Sequence, residues 1–177
     1  PLSLPANTGR IALGTWATQA EFKDVKVTDP AGNALLAADF SKGPGQFKTV
    51  SGEWSVVDGA LRQTGGVEGA RALAGNPQWR DYTLSLKARK LSGREGFLIM
   101  FDAEERGKSW WNLGGWGNRS HGLEAGGVEA PRVPDRIETG RWYDIRVELA
   151  GPRIRCFLDG RLIHDVLPPH VADAFLQ

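Results

Sequence analysis

The sequence predicts an all-β sandwich of two antiparallel sheets. Apolar and polar residues alternate at a period of two through most of the chain, and Gly, Asp-Gly and Pro punctuation returns about every eight to twelve residues. The chain has 23 Gly and 10 Pro among 177 residues, below the roughly 25–30% expected of a low-complexity segment. A 41% share of hydrophobic residues supplies a core, and the length suits one domain over 1–177.

The elements follow in order. Trp54-Ser55-Val56-Val57, Asp58-Gly59 and Ala60-Leu61-Arg62 form a hairpin, because Asp-Gly supplies the two positive φ angles of a two-residue turn. Tyr82, Leu84, Leu86 and Ala88 share one strand face, with Thr83, Ser85, Lys87 and Arg89 on the other. Phe97 to Phe101 is apolar throughout and predicts the most buried strand, in mid-sheet. Tyr143, Ile145, Val147 and Leu149 repeat the alternation, and Ile154 to Leu158 turns at Asp159-Gly160 into Arg161 to Val166. About twelve strands are expected, with irregular stretches at 28–46, 64–80, 102–108 and 126–141. No tandem repeat is evident, and helices are few or absent. After Pro168-Pro169 the alternation stops, and Val171 to Leu176 suits a short helical turn.

Composition excludes several functions. With 22 Lys+Arg against 21 Asp+Glu and a net charge of +1, nucleic acid and membrane surfaces are poor partners. No apolar run approaches the roughly 18 residues of a membrane span. Cys156 stands alone, which removes an intramolecular disulfide framework and any Cys-x-x-Cys metal site. The opening Pro1-Leu2-Ser3-Leu4-Pro5 lacks a basic and an apolar signal region, so the chain reads as a mature or excised piece.

Chemistry concentrates between Trp110 and Glu124, where three of the seven Trp fall. Trp111 and Trp116 are the expected stacking residues, and Trp110 is expected to point inward. Arg89, Asn112, Asn118, His121 and Glu124 are expected to hydrogen-bond sugar hydroxyls, a mixture that suits a glycan. The competing reading gives the Trp residues to the core and the Gly residues to turns. Glycoside chemistry needs two facing carboxyl groups; Glu124 with Glu95 or His121 is the candidate set, although ordinary rim carboxylates are the favoured reading. Asp102, Glu104 and Glu105 lack calcium-loop spacing, and His164 beside Asp165 has no second ligand nearby. No metal ligand is assigned, while a structural calcium stays open because sandwich loops often bind it. Lys87 to Lys90 reads as a solvated face. No Gly-x-Ser-x-Gly, phosphate loop or His-Glu-x-x-His is present.

Trp54 to Leu61, Asp81 to Leu84, Glu95 to Ile99, Trp110 to Asn118 and Gly140 to Ile145 together resemble the concanavalin A-like (laminin-G-like) domain. More closely, the chain resembles the copy inside glycoside hydrolase family 51 α-L-arabinofuranosidases, and Trp-Trp-Asn-Leu-Gly-Gly-Trp-Gly-Asn is the most specific string. The resemblance implies a jelly-roll sandwich whose concave face binds plant cell-wall polysaccharide, covalently linked to a catalytic domain outside this chain. It implies residues 1–8 and 168–177 as connecting segments, and an extracellular or cell-envelope location in a bacterium. Gly9 to Trp16 and Ala20 to Val27 resemble a segment that ordinarily closes such domains, which implies circular permutation with both ends side by side. The Glu-x-Asp-x-x-Glu strand of catalytic relatives is missing. A looser likeness to bacterial 3-keto-glycoside hydrolases, with Gly96-Phe97 and Glu124 in comparable settings, keeps a lyase or hydrolase reading. A ligand-free interdomain scaffold is the third.

Overall fold

The structure, a computed structural model, describes residues 7–103, 109–125 and 128–167. Sixteen strands form within them. The first half of the chain contributes β1 (Arg10–Trp16), β2 (Thr18–Thr28), β3 (Ala34–Ala38), β4 (Lys48–Ser51), β5 (Trp54–Val57), β6 (Ala60–Gln63), β7 (Glu68–Ala74) and β8 (Thr83–Gly93). The second half contributes β9 (Phe97–Ala103), β10 (Trp110–Gly114), β11 (Ser120–Ala125), β12 (Val128–Glu129), β13 (Val133–Pro134), β14 (Trp142–Ala150), β15 (Arg153–Leu158) and β16 (Arg161–Val166). The first sheet runs β12-β11-β10-β9-β1-β7-β4, with β13 also on β11. The second runs β16-β15-β14-β8-β2-β6-β5, with β3 also on β2. Neighbours are antiparallel, and the sheets face each other across one core, as the sequence predicts for a jelly-roll sandwich.

Alternation decides which side chains enter that core. Tyr82, Leu84, Leu86 and Ala88 point inward from the β8 strand and its approach, as Tyr143, Ile145, Val147 and Leu149 do from β14. Phe97 to Phe101 is at most 2% exposed at every residue because β9 lies between β1 and β10. Phe97 stands edge-on to Phe22 of β2 at 6.0 Å and to Tyr143 at 6.2 Å, so it links the two sheets. Both Asp-Gly hairpins form: Asp58 and Gly59 adopt φ of 50° and 75°, and Asp159 and Gly160 adopt 49° and 79°.

Several expectations are corrected. The chain has more than twelve strands, because β3, β7, β12 and β13 occupy stretches expected to be irregular. The Gly-Ala-Arg-Ala-Leu-Ala run of β7 is too short in side chain to display alternation, yet its backbone is paired by β1 and β4. Lys90 continues the inward parity of β8 and is only 4% exposed, so it is not part of a solvated face. Burial lowers its pKa against the opposing pull of the Glu95 charge. The residue 171–176 turn, Glu104 and Glu105 lie outside the described residues, as does the Asp102 side chain.

The chain changes sheet at Ala17, which adopts φ 48° between β1 and β2. Gln63, fully buried, braces this corner. Its Nε2 lies 2.9 Å from Thr15 Oγ1, 2.9 Å from the Thr18 carbonyl and 2.8 Å from the Gly65 carbonyl, while its Oε1 accepts the Glu53 N–H at 3.2 Å.

Candidate functional site

Register turns the outer face of the first sheet into a site. In β10, Leu113 and Trp111 face the core, so Asn112 and Trp110 face outward. Trp110 sits across from Met100 on one side and Glu124 on the other; Asn112 sits across from Leu98 and Gly122. Trp110 packs on a buried apolar floor of Ala12, Leu73, Leu98 and Met100. Trp16 ends β1 at 37% exposure. Together Trp16, Glu95, Leu98, Trp110, Asn112, Trp116 and Glu124 line a cleft of about 270 Å³.

Trp116 reaches this face from an unusual turn. Trp116, Gly117 and Asn118 are left-handed in succession, with φ of 54°, 75° and 62°. Left-handed backbone costs a non-glycine residue roughly 1 kcal/mol, so the turn needs support. Asn118 supplies part of it, donating from Nδ2 to the Ile137 carbonyl at 3.0 Å and accepting the Ile137 N–H at 2.8 Å. His121 Nδ1 accepts the Gly114 N–H at 3.0 Å, and Glu95 Oε2 accepts the Gly117 N–H at 2.8 Å. The indole lies over Gly122, where a Cβ would enter the ring, and the Arg132 guanidinium stacks 4.1 Å from its centroid.

The structure therefore divides the expected glycan-binding residues. Trp116, Asn112 and Glu124 come together at the cleft. Trp111 does not: it is 0% exposed in the core, edge-on to His164 at 6.0 Å, so the expected roles of Trp110 and Trp111 are exchanged. His121 is also fully buried, with Nε2 3.3 Å from Asp135 Oδ2. Burial lowers its pKa more than the Asp135 carboxylate raises it. Asn118 is spent on Ile137. Arg89 belongs to the other sheet, where it donates from Nε to Glu21 Oε1 at 3.1 Å and lies 4.6 Å from the Trp142 ring. Arg62 holds the second Glu21 oxygen at 2.9 Å. Burial raises the Glu21 pKa, and the two guanidiniums outweigh it, leaving the carboxyl below its ordinary value.

Sequence reasoning missed Trp16, Trp110 and Leu98 as cleft residues. A signal for Trp110 was present: Leu113 and Trp111 share parity, and so do Asn112 and Trp110, which assigns the latter pair to the polar side. Trp16 and Leu98 carried none, since the order β10-β9-β1 that brings them to the cleft is set by strand pairing. Glu95 and Glu124, the alternative catalytic carboxylates, both line the cleft. Among the described residues, no three His, Cys, Asp or Glu side chains converge to hold a metal ion. No helix among them is long and apolar enough to cross a membrane.

Similarity to known proteins agrees with the fold. The chain is 43% identical over 161 residues to an extracellular exo-α-L-arabinofuranosidase of Streptomyces chartreusis, covering 87% of this chain and 20% of that protein. It thus spans about a fifth of that relative's length. No solved structure matches. The model of the 3-keto-alpha-glucoside-1,2-lyase-like domain matches residues 41–174, and on that match this chain belongs to that family.

Proposed function

We propose that the chain is a non-catalytic carbohydrate-binding domain of a plant-polysaccharide-degrading α-L-arabinofuranosidase, and that its cleft takes arabinoxylan, arabinan or a related β-glycan. One observation carries this reading: three indoles, Trp16, Trp110 and Trp116, border a single cleft with Glu95, Asn112 and Glu124. Indole faces suit sugar C–H groups, and the carboxylate and amide oxygens suit hydroxyl donors. The S. chartreusis relative, an extracellular exo-α-L-arabinofuranosidase, supports the substrate class and an extracellular setting, and the fifth of its length that is matched supports an accessory domain linked to a catalytic one.

An open cleft gives modest affinity, on the order of 10 µM to 1 mM. Affinity electrophoresis of the chain through arabinoxylan, arabinan, xylan, β-glucan and cellulose, with and without EDTA, tests the reading. Retardation by an arabinose-bearing polymer is expected; no retardation by any of them overturns it, and loss in EDTA adds a metal ion.

A second reading makes the domain itself a glycoside hydrolase or 3-keto-glycoside lyase, favoured by the two carboxylates of one cleft. It predicts turnover of a glycoside with a bell-shaped pH profile, and full activity in Glu124→Gln would sink it.

A further inference from the structure

Glu95 occupies a junction that the carbohydrate reading leaves unexplained. Its backbone N–H donates to Thr18 Oγ1 at 2.9 Å, and the same hydroxyl donates to the Trp16 carbonyl at 2.8 Å. The neighbouring Arg94 N–H donates to the Ala17 carbonyl at 3.2 Å. At the other end of the residue, Oε2 accepts the N–H of Gly117, next to Trp116. Glu95 is thereby bonded to both Trp-bearing segments, the β1–β2 corner and the left-handed turn.

The other supports of that turn act at different points. His121 and Asn118 hold Gly114 and Ile137, which fixes the two ends of the turn. Neither bonds the Gly117 amide. Left-handed backbone is disfavoured for Trp116 though not for Gly117, and the Gly117 N–H belongs to the peptide group that follows Trp116, so holding that N–H holds the Trp116 backbone in this conformation.

We propose that Glu95 is a positioning residue that sets the placement of Trp116 relative to Trp16 across the cleft, by accepting the Gly117 N–H from a residue anchored through Thr18. This rests on the carbohydrate-binding reading. What Glu95 must provide is an acceptor oxygen at a fixed reach, and the charge is secondary.

The test compares Glu95→Ala with Glu95→Gln in the whole chain, read by the Gly117 amide proton and the Trp16 and Trp116 indole N–H signals in NMR, and by retardation in arabinoxylan gels. In Glu95→Ala the Gly117 amide proton moves upfield, the Trp116 indole signal shifts, and binding weakens about tenfold. Glu95→Gln, which keeps an acceptor oxygen, restores the NMR pattern. An unmoved Gly117 amide in Glu95→Ala overturns the proposal, and so does a Glu95→Gln protein whose Gly117 and Trp116 signals are displaced as far as in Glu95→Ala. If Glu95→Ala does not fold, Glu95→Asp replaces it, one methylene too short to reach Gly117. A wild-type chain that binds no glycan defeats the carbohydrate reading, while the Gly117 signal still decides the role of Glu95.

Discussion

Trp110 and Trp111 are adjacent and chemically identical, yet one faces the cleft and the other fills the core. Different consequences follow from truncating them. Trp110→Ala removes a ring that lines the cleft and packs on Ala12, Leu73, Leu98 and Met100, and is expected to abolish retardation by the bound polysaccharide while lowering the melting temperature less than Trp111→Ala does. Trp111→Ala opens a cavity between the sheets and costs about 3–5 kcal/mol of stability in urea unfolding. His164, against the Trp111 ring, makes stability depend on pH. Burial first, and then the His121 charge, hold its pKa at about 4 against 6.5 for the free group. Between those values the unfolded chain binds a proton that the folded one refuses, so the stability contributed by His164 is full above pH 6.5, declines as pH falls to 4, and changes no further below. The shift corresponds to about 3 kcal/mol. Urea unfolding at pH 7 and pH 4.5 should show much of this loss in the wild type and a smaller one in His164→Phe. Residue type alone hid these fates, because the partners of His121 and His164 are brought by separate strands.

At the level of elements, strands with strong alternation were legible: β8, β14 and the two Asp-Gly hairpins formed where polarity and turn chemistry agree. The continuous run of β9 was legible for another reason, since a strand covered on both faces needs no polar side. The small residues of β7 were not, because pairing by β1 and β4 defines that strand more than its own side chains do. The corner between β1 and β2 is also a tertiary product. Gln63 arrives there from β6 to meet Thr15 and Thr18. Gln63→Leu strands the Glu53 N–H and the Thr18 carbonyl without their partner, and is expected to cost about 2–3 kcal/mol. It should also broaden the Trp16 indole signal, because the same corner carries that residue into the cleft.

For the whole molecule, the two described ends lie close together. Asn7 donates its backbone N–H to the Gly151 carbonyl at 3.3 Å and its side-chain Nδ2 to the Pro152 carbonyl at 3.4 Å, while Val166 is paired with Ile154. Both described ends thus meet at the β14–β15 turn. The family match starts at residue 41 and leaves β1 and β2 outside it, although they are interior strands of the two sheets. A chain with residues 7 and 167 joined by a short linker and opened between Gly43 and Pro44, in an exposed loop, should therefore fold to the same sandwich; circular dichroism and a cooperative melt check this. The order of amino acids determined the all-β class, both Asp-Gly hairpins and the inward faces of the alternating strands, because those depend on periodicity and on φ preferences within a few residues. Tertiary structure alone decided that Trp16, Leu98, Glu95 and Trp116 would meet at one cleft and that Arg89 would lie across the core from it. Sheet order is set by which distant strands bury each other's apolar faces, and no local pattern records that choice.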